Sequence, residues 1–442
     1  MAVLAATGKL RWSSEVEEAA IRPMWHPGRL FWPIVLVLGA VVLAAFATFV
    51  YQFLSGLWVA GYSDRAFYGI YEANLVAFIG VSYGGALVSA VLRLTGAHWR
   101  APITRMAEVM ALVSLVVGAS FALVHLGRPD HLLHLFTSGN ASSPILWDFT
   151  AITTYLLATA IFVYLPLIPD LARVRDRFPA GSLRRRIYGL AAVSWADAPE
   201  QRRRLQWAVG IIAVLIIPLA VSVHSVLAWT FSMTTRPGWH STIFGPYFVV
   251  GALYSGVALV VLVAAALRRA YHLERFIENR HLLLLSRIMV ALGLIYLYFT
   301  FAELLTGAYA RTRDEVSILT ALLEGPFAPA FWAFVVGGLF VPIALVVLPT
   351  HRRSGALVFA AALVVVAMWL KRLLIVLPTA TAPLIDDTWG AISITWVPAL
   401  ITLAATVAIP LGMIVLFRFV PLLAIDEVEQ EEARRTAEEA RS

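Results

Sequence analysis

Apolar runs alternate with polar connections along almost the whole chain, at residues 30–54, 68–94, 104–126, 145–168, 206–231, 242–267, 283–308, 325–348, 354–378 and 394–420. Each holds about 20 residues or more, enough for a helix rising 1.5 Å per residue to cross roughly 30 Å of hydrocarbon. The period-two alternation of a barrel strand is absent, and a spanning segment must satisfy its own backbone hydrogen bonds. The pattern therefore predicts an all-α membrane protein with ten transmembrane helices. A short internal similarity, GALVSAVLRL (85–94) against GALYSGVALV (251–260), relates spans two and six, which run in the same direction. It groups the helices into two four-helix bundles, spans 2–5 and 6–9, with spans 1 and 10 peripheral; the same small residues also suit ordinary helix packing. The chain then divides into an N-terminal segment (1–29), span 1 with its loop (30–67), a first bundle (68–231), a second bundle (232–378), span 10 (379–420) and a charged tail (421–442).

Composition agrees. Of 442 residues, 60% are hydrophobic and 14% charged, with no cysteine and a mean hydropathy of +0.81, whereas a soluble domain carries about 25% charged residues. The net charge of +7 reports topology: with the N-terminus inside, 27 of the 34 Lys and Arg fall on cytoplasmic segments, 5 on outer loops and 2 within a helix. Both termini are thus expected in the cytoplasm of a bacterial inner membrane. Runs such as LRRRIYG (183–189) and EQRRRLQW (200–207) read as solvated inner loops, so nucleic acid is not an expected partner. The first apolar run exceeds the core of a signal peptide, so no cleaved leader is expected. Without cysteine the chain can ligate no iron–sulfur cluster of its own, and any cluster belongs to a partner. The outer loop 126–144 contains DHLLHLF, which suits a short amphipathic turn in the interface with Leu132, Leu133 and Phe136 on one face. The closing segment 424–442 reads as a solvated charged helix.

Ionisable residues inside a bilayer are costly and usually face a bundle interior or cavity. Converted to height, Glu72, His125, Asp148, His224, Glu303, Lys371 and Arg372 all fall in the outer third, and Glu108 alone in the inner third. Each has a structural alternative: an interfacial histidine, an Asp in the first turn of a helix, a Glu303–Lys371 pair, or Glu108 bound to a neighbour such as Arg105. Together they point to one polar site at the outer surface. The histidines do not form the two stacked axial pairs usual for b-haems, and a single haem between His125 and His224 is the minor alternative. Oxidation of a quinol suits the residues better, because it releases two protons to acceptors such as histidine and carboxylate. Tyr71, Tyr83, Trp147, Tyr155 and Trp229 supply rings to enclose a quinone head.

HLGRP (125–129), SSPILWD (142–148), IYEANLVAFIGVSYGGALVSAV (70–91), RMAEVM (105–110), VSVHSVLAW (221–229) and RPGWHSTIFGPYFVVGALYSG (236–256) resemble the NrfD/PsrC family of integral membrane quinone-reactive subunits. Within it, PGWHSTIFGPYF and the ten-span length look most like the ActC/ActF subunits of alternative complex III. The resemblance implies an outer menaquinol or quinol site with His125 and Asp148 as ligands. Glu72, Arg128, Tyr83, Trp147, His224 and Trp229 would lie around it. It also implies a docked extracytoplasmic iron–sulfur or molybdopterin-type subunit, haem-bearing cytochrome c subunits, and a homologous membrane subunit. Glu108, Glu303 and Lys371 are the candidates for a proton path, although Lys371 in MWLKRLL stands where the family often has an acidic residue. Two rival classes are a secondary transporter, which the absence of an inverted repeat and the one-sided charges oppose, and a passive anchor for an extracytoplasmic enzyme.

Overall fold

The computed structural model describes residues 14–440 apart from 65, 67–68, 235, 350–352, 384–387 and 392, so the expectations for residues 1–13 and 441–442 lie outside it. The described residues are helical, with no strand. In chain order the helices are α1 (Glu15–Trp25), α2 (Phe31–Ser55), α3 (Ile70–Leu94), α4 (Ala101–His125), α5 (His134–Thr137), α6 (Pro144–Tyr164), α7 (Ile168–Arg175), α8 (Leu183–Ala191) and α9 (Pro199–Ser232). They continue as α10 (Phe244–Ala270), α11 (Asn279–Ala310), α12 (Arg313–Leu323), α13 (Ala328–Val335), α14 (Val341–Val347), α15 (Ser354–Thr381), α16 (Trp396–Leu416) and α17 (Ile425–Glu439). Ten of the spans they form are long and apolar enough to cross a membrane, with α6–α7 and α13–α14 each making one continuous span. The protein is a multi-pass membrane protein.

The long helix α3 sits at the centre, buried along nearly its whole length, and packs on α4, α9, α10 and α15. Small residues make this possible. At the α3–α10 crossing, a Cβ on Gly84 would lie 2.1 Å from the Gly256 carbonyl carbon, so neither position tolerates a side chain at this approach. The first and last spans, α2 and α16, pair with each other and are the least buried of the ten. The outer surface of α2 is an apolar stripe including Leu36, Val37, Leu43 and Phe46, as lipid contact requires. Between α13 and α14 a π-helical turn, Val336–Phe340, lets the Gly338 carbonyl accept a hydrogen bond from the Tyr254 hydroxyl at 2.7 Å.

The end of the bundle carrying α1, α8 and α17 is called here the terminal face, and the opposite end the distal face. On the terminal face the closing helix departs from the expected solvated tail. Ile425 and Val428 of α17 are buried, and Leu422 just before it donates its amide to Ala20 of α1 at 2.9 Å. Three arginines from other parts of the fold fix the acidic side of α17: Arg93 meets Glu427 at 2.7 Å, Arg100 meets the same carboxylate, and Arg173 binds Asp426 and Glu429. Burial opposes ionisation of Glu427, but Arg93 and Arg100 outweigh it and hold its carboxyl below the ordinary carboxylate range. The charges that read as a solvated face are largely partners for membrane-edge arginines.

Candidate functional site

The distal face gathers two polar clusters on either side of the start of α3 and α6. In the first turn of α3, Glu72 is buried and accepts hydrogen bonds through Oε2 from the Gly69 amide and the Tyr62 hydroxyl, both at 2.8 Å. A carboxylate at the third helical position is where free amides and the helix dipole favour it. Its second oxygen, Oε1, faces Nε2 of His125 at 3.5 Å. His125 is the last residue of α4, and Gly127 immediately beyond takes φ +66°, so the chain turns out of the helix before Pro129 opens a 3₁₀ turn. Behind the pair, Tyr71 donates to Gln52 of α2, whose amide donates to the Val124 carbonyl at 3.1 Å, tying α2, α3 and α4 together.

The second cluster lies between α3, α6 and α9. Asp148, in the second turn of α6, accepts from the Thr230 hydroxyl of α9 at 2.9 Å through Oδ2, while Oδ1 is buried without a hydrogen-bond partner. Below it, Tyr83 stacks on Tyr155 with ring centroids 4.7 Å apart and meets the edge of His224 at 4.3 Å. Gly80 of α3 clears the space for that histidine, since a Cβ there would sit 3.4 Å from its Nε2. The Tyr83 hydroxyl and both His224 nitrogens are buried and unpartnered. Unsatisfied polar atoms gathered in one place are unusual in a folded protein and single this cluster out as a candidate site.

The other expected site residues lie elsewhere. Arg128 is exposed and forks onto Asp130 at 3.1 and 2.8 Å, holding that carboxyl below its ordinary range by hydrogen bonding, instead of reaching the Glu72–His125 pair. Trp147 donates its indole to the Ala141 carbonyl at 2.6 Å and braces the loop before α6. Trp229 is exposed on α9. Glu303 and Lys371 form an ion pair at 3.2 Å, with the ammonium 5.3 Å from the Tyr247 ring centroid. A cavity of about 990 Å³, lined by Arg236, His240, Asp314 and Glu315 among others, has this pair in its wall. Glu108 is buried and accepts from Ser89 at 2.8 Å, with Arg93 at 3.5 Å. The expected partner Arg105 is instead bound to Asp170 of α7 at 2.7 Å and to the Pro166 carbonyl, in the turn that joins α6 to α7, at 3.1 Å.

Sequence pattern alone does not single out Tyr62, Gln52 or Thr230. Tyr62 lies in a loop with no periodicity to flag it, and Gln52 and Thr230 are uncharged residues in apolar helices. Their only signal is a hydrogen-bonding side chain at the depth where the charges gather.

The profile of the family described as polysulphide reductase, NrfD matches residues 58–383. The chain belongs to the NrfD family. Its relatives include a Halobacterium salinarum protein provisionally named as a dimethyl sulfoxide reductase membrane subunit, 28% identical over 75% of this chain and 73% of its own length. A selenate reductase subunit of Mesobacillus selenatarsenatis is 23% identical over 79% of this chain and 82% of its own. The Hdr-like menaquinol oxidoreductase integral membrane subunit of Archaeoglobus fulgidus is 24% identical over 80% of each chain. The matched NrfD segment runs from the loop before α3 to just past the end of α15, so it contains Glu72, His125, Asp148 and His224 and leaves α2, with Gln52, and α17 outside.

Proposed function

We propose that this NrfD protein is the quinol-reactive membrane subunit of a multi-subunit oxidoreductase. A quinol would be oxidised at the distal face, and its two electrons would leave to an iron–sulfur subunit docked there. The observation that carries the reading is the buried, acceptor-rich pair of clusters: the unpartnered Oδ1 of Asp148 and the Glu72–His125 pair. Removing two electrons from a quinol frees two protons, and each needs an acceptor within hydrogen-bond reach. Glu72 faces the Nε2 side of the His125 ring at 3.5 Å and orients it as a proton acceptor. Thr230 positions Asp148 through one oxygen and leaves the other for substrate. Tyr83 and Tyr155 supply a stacked aromatic wall. The menaquinol oxidoreductase and reductase membrane subunits among the relatives support both the substrate class and a catalytic partner outside this chain.

The bias of Lys and Arg toward the segments around α1, α7, α8 and α17 supports placing the terminal face in the cytoplasm and the distal face outside. The PGWHSTIFGPYF segment and ten spans support the narrower reading of an alternative complex III type subunit. His125→Ala in the assembled complex tests the site. Quinol turnover is expected to fall at least a hundredfold with all partner subunits retained, and normal turnover in an intact complex would overturn it.

A further inference from the structure

A cavity of about 720 Å³ runs between α3, α10, α15 and α16. Its walls are almost wholly apolar, with Phe78, Leu259, Trp369, Leu403 and Met413 among them. Along α16 the lining extends from just before the helix to Met413, which is close to the thickness of the hydrocarbon. The shape fits a long hydrocarbon chain, and the volume is that of a ligand site. One charged residue interrupts the apolar wall. Arg372 of α15 is 3% exposed, its guanidinium carbon lies 4.9 Å from the Phe248 ring centroid, and neither terminal nitrogen has a hydrogen-bond partner.

A guanidinium has five donors and no acceptor, and burying one without oxygen partners is costly. The missing partner must bring acceptor oxygens on an apolar chain. Arg372 lies nine residues before the end of α15, about 13 Å below it. That is too deep for a phospholipid phosphate, which stays at the interface. It is a suitable depth for the ring of a membrane quinone. The two polar regions also differ in chemistry. Asp148 and the Glu72–His125 pair accept hydrogen bonds and suit a quinol, whose hydroxyls donate. Arg372 only donates and suits the oxidised ring, whose two carbonyls only accept. We propose that the Arg372 cavity is a second site, selective for oxidised isoprenoid quinone, separated from the His224 cluster by the Phe248 ring, which lies 6.4 Å from the His224 ring centroid. The assignment of quinone as its ligand rests on the function proposed above.

The test uses the full-length protein in its purified complex, reconstituted with excess polyprenyl naphthoquinone, washed, and extracted for quinone and phospholipid. Two substitutions probe the cavity independently: Arg372→Met removes the donors, and Leu403→Trp fills the chain channel from a residue that packs no helix core. Each is expected to remove most of the oxidised quinone retained per chain, whereas Asp148→Asn leaves that quinone in place. Full retention in both cavity variants, or phospholipid recovered in place of quinone, overturns the second site. If Asp148→Asn abolishes turnover while both cavity variants keep their quinone, only this inference fails. If the cavity variants lose quinone while Asp148→Asn turns over normally, the distal oxidation site fails and the Arg372 site stands.

Discussion

Asp148 carries the sharpest residue-level consequence. Its two oxygens have different surroundings: one is fixed by Thr230, and the other is buried with no partner. Asp148→Asn keeps the shape and one acceptor but removes the base, so quinol turnover is expected to fall by about a hundredfold or more with assembly unchanged. Thr230→Val should cost less, because it loosens the carboxylate without deleting it. Steady-state turnover of the two variants checks the ranking, and equal losses would mean that Asp148 works only by bracing α9. The residues themselves show why sequence exposes half of this site. A carboxylate in an apolar run is conspicuous, whereas Thr230 is not, since a helical threonine commonly bonds its own preceding turn, and Thr230 does reach the Val226 carbonyl at 3.1 Å. The Glu72–His125 pair is visible in the sequence as two residues at one height, but Tyr62 and Gln52, which brace it from behind, emerge only with the fold.

Among the elements, the spans are legible in the sequence and the terminal-face helices are not. The ten apolar runs predict the ten spanning helices to within a few residues at most ends, since nothing but a helix satisfies the backbone in hydrocarbon. Helix α17 misleads because its few apolar residues are outnumbered by charges, and the arginines that bind those charges come from α3, the turn before α4, and α7. Its docking yields a stability prediction. Glu427→Gln leaves Arg93 and Arg100 without their shared carboxylate and should destabilise the detergent-solubilised protein by about 3 kcal/mol, the order found when one member of a buried ion pair is removed. Because the native carboxyl of Glu427 is held below its ordinary value of 4.5, the stabilisation is complete above that value. It is lost as pH falls below it toward the depressed one. Thermal melts between pH 7 and pH 4 should therefore show wild type losing its advantage over Glu427→Gln at the acid end. Parallel curves across that range would remove Glu427 from the account.

For the whole molecule, the division of polar groups between two faces sets what each end can do. Because the chain has no cysteine, single engineered cysteines report orientation directly. Positions in 131–141 and 236–241 should react with an impermeant reagent from outside, and positions in 175–203 only from the cytoplasm. The reverse pattern would invert the proposed topology. Glu108 then lies seventeen residues before His125 on α4, about 25 Å away along the axis and near the opposite surface. At that distance it takes no part in distal quinol chemistry. Ser89 donates to it, Arg93 faces it, and Arg93 also binds Glu427 of the docked α17. A carboxylate held this way anchors the arginine that holds the closing helix. Glu108→Gln retains the bond to Ser89 but withdraws charge from Arg93, so the melting temperature should drop while uncoupled quinol oxidation stays near wild type. The proton-to-electron ratio in reconstituted vesicles decides the role. An unchanged ratio is expected from an anchor. A lowered ratio in a variant that assembles fully and oxidises quinol normally would make Glu108 the cytoplasmic start of a proton path through α3 and α4.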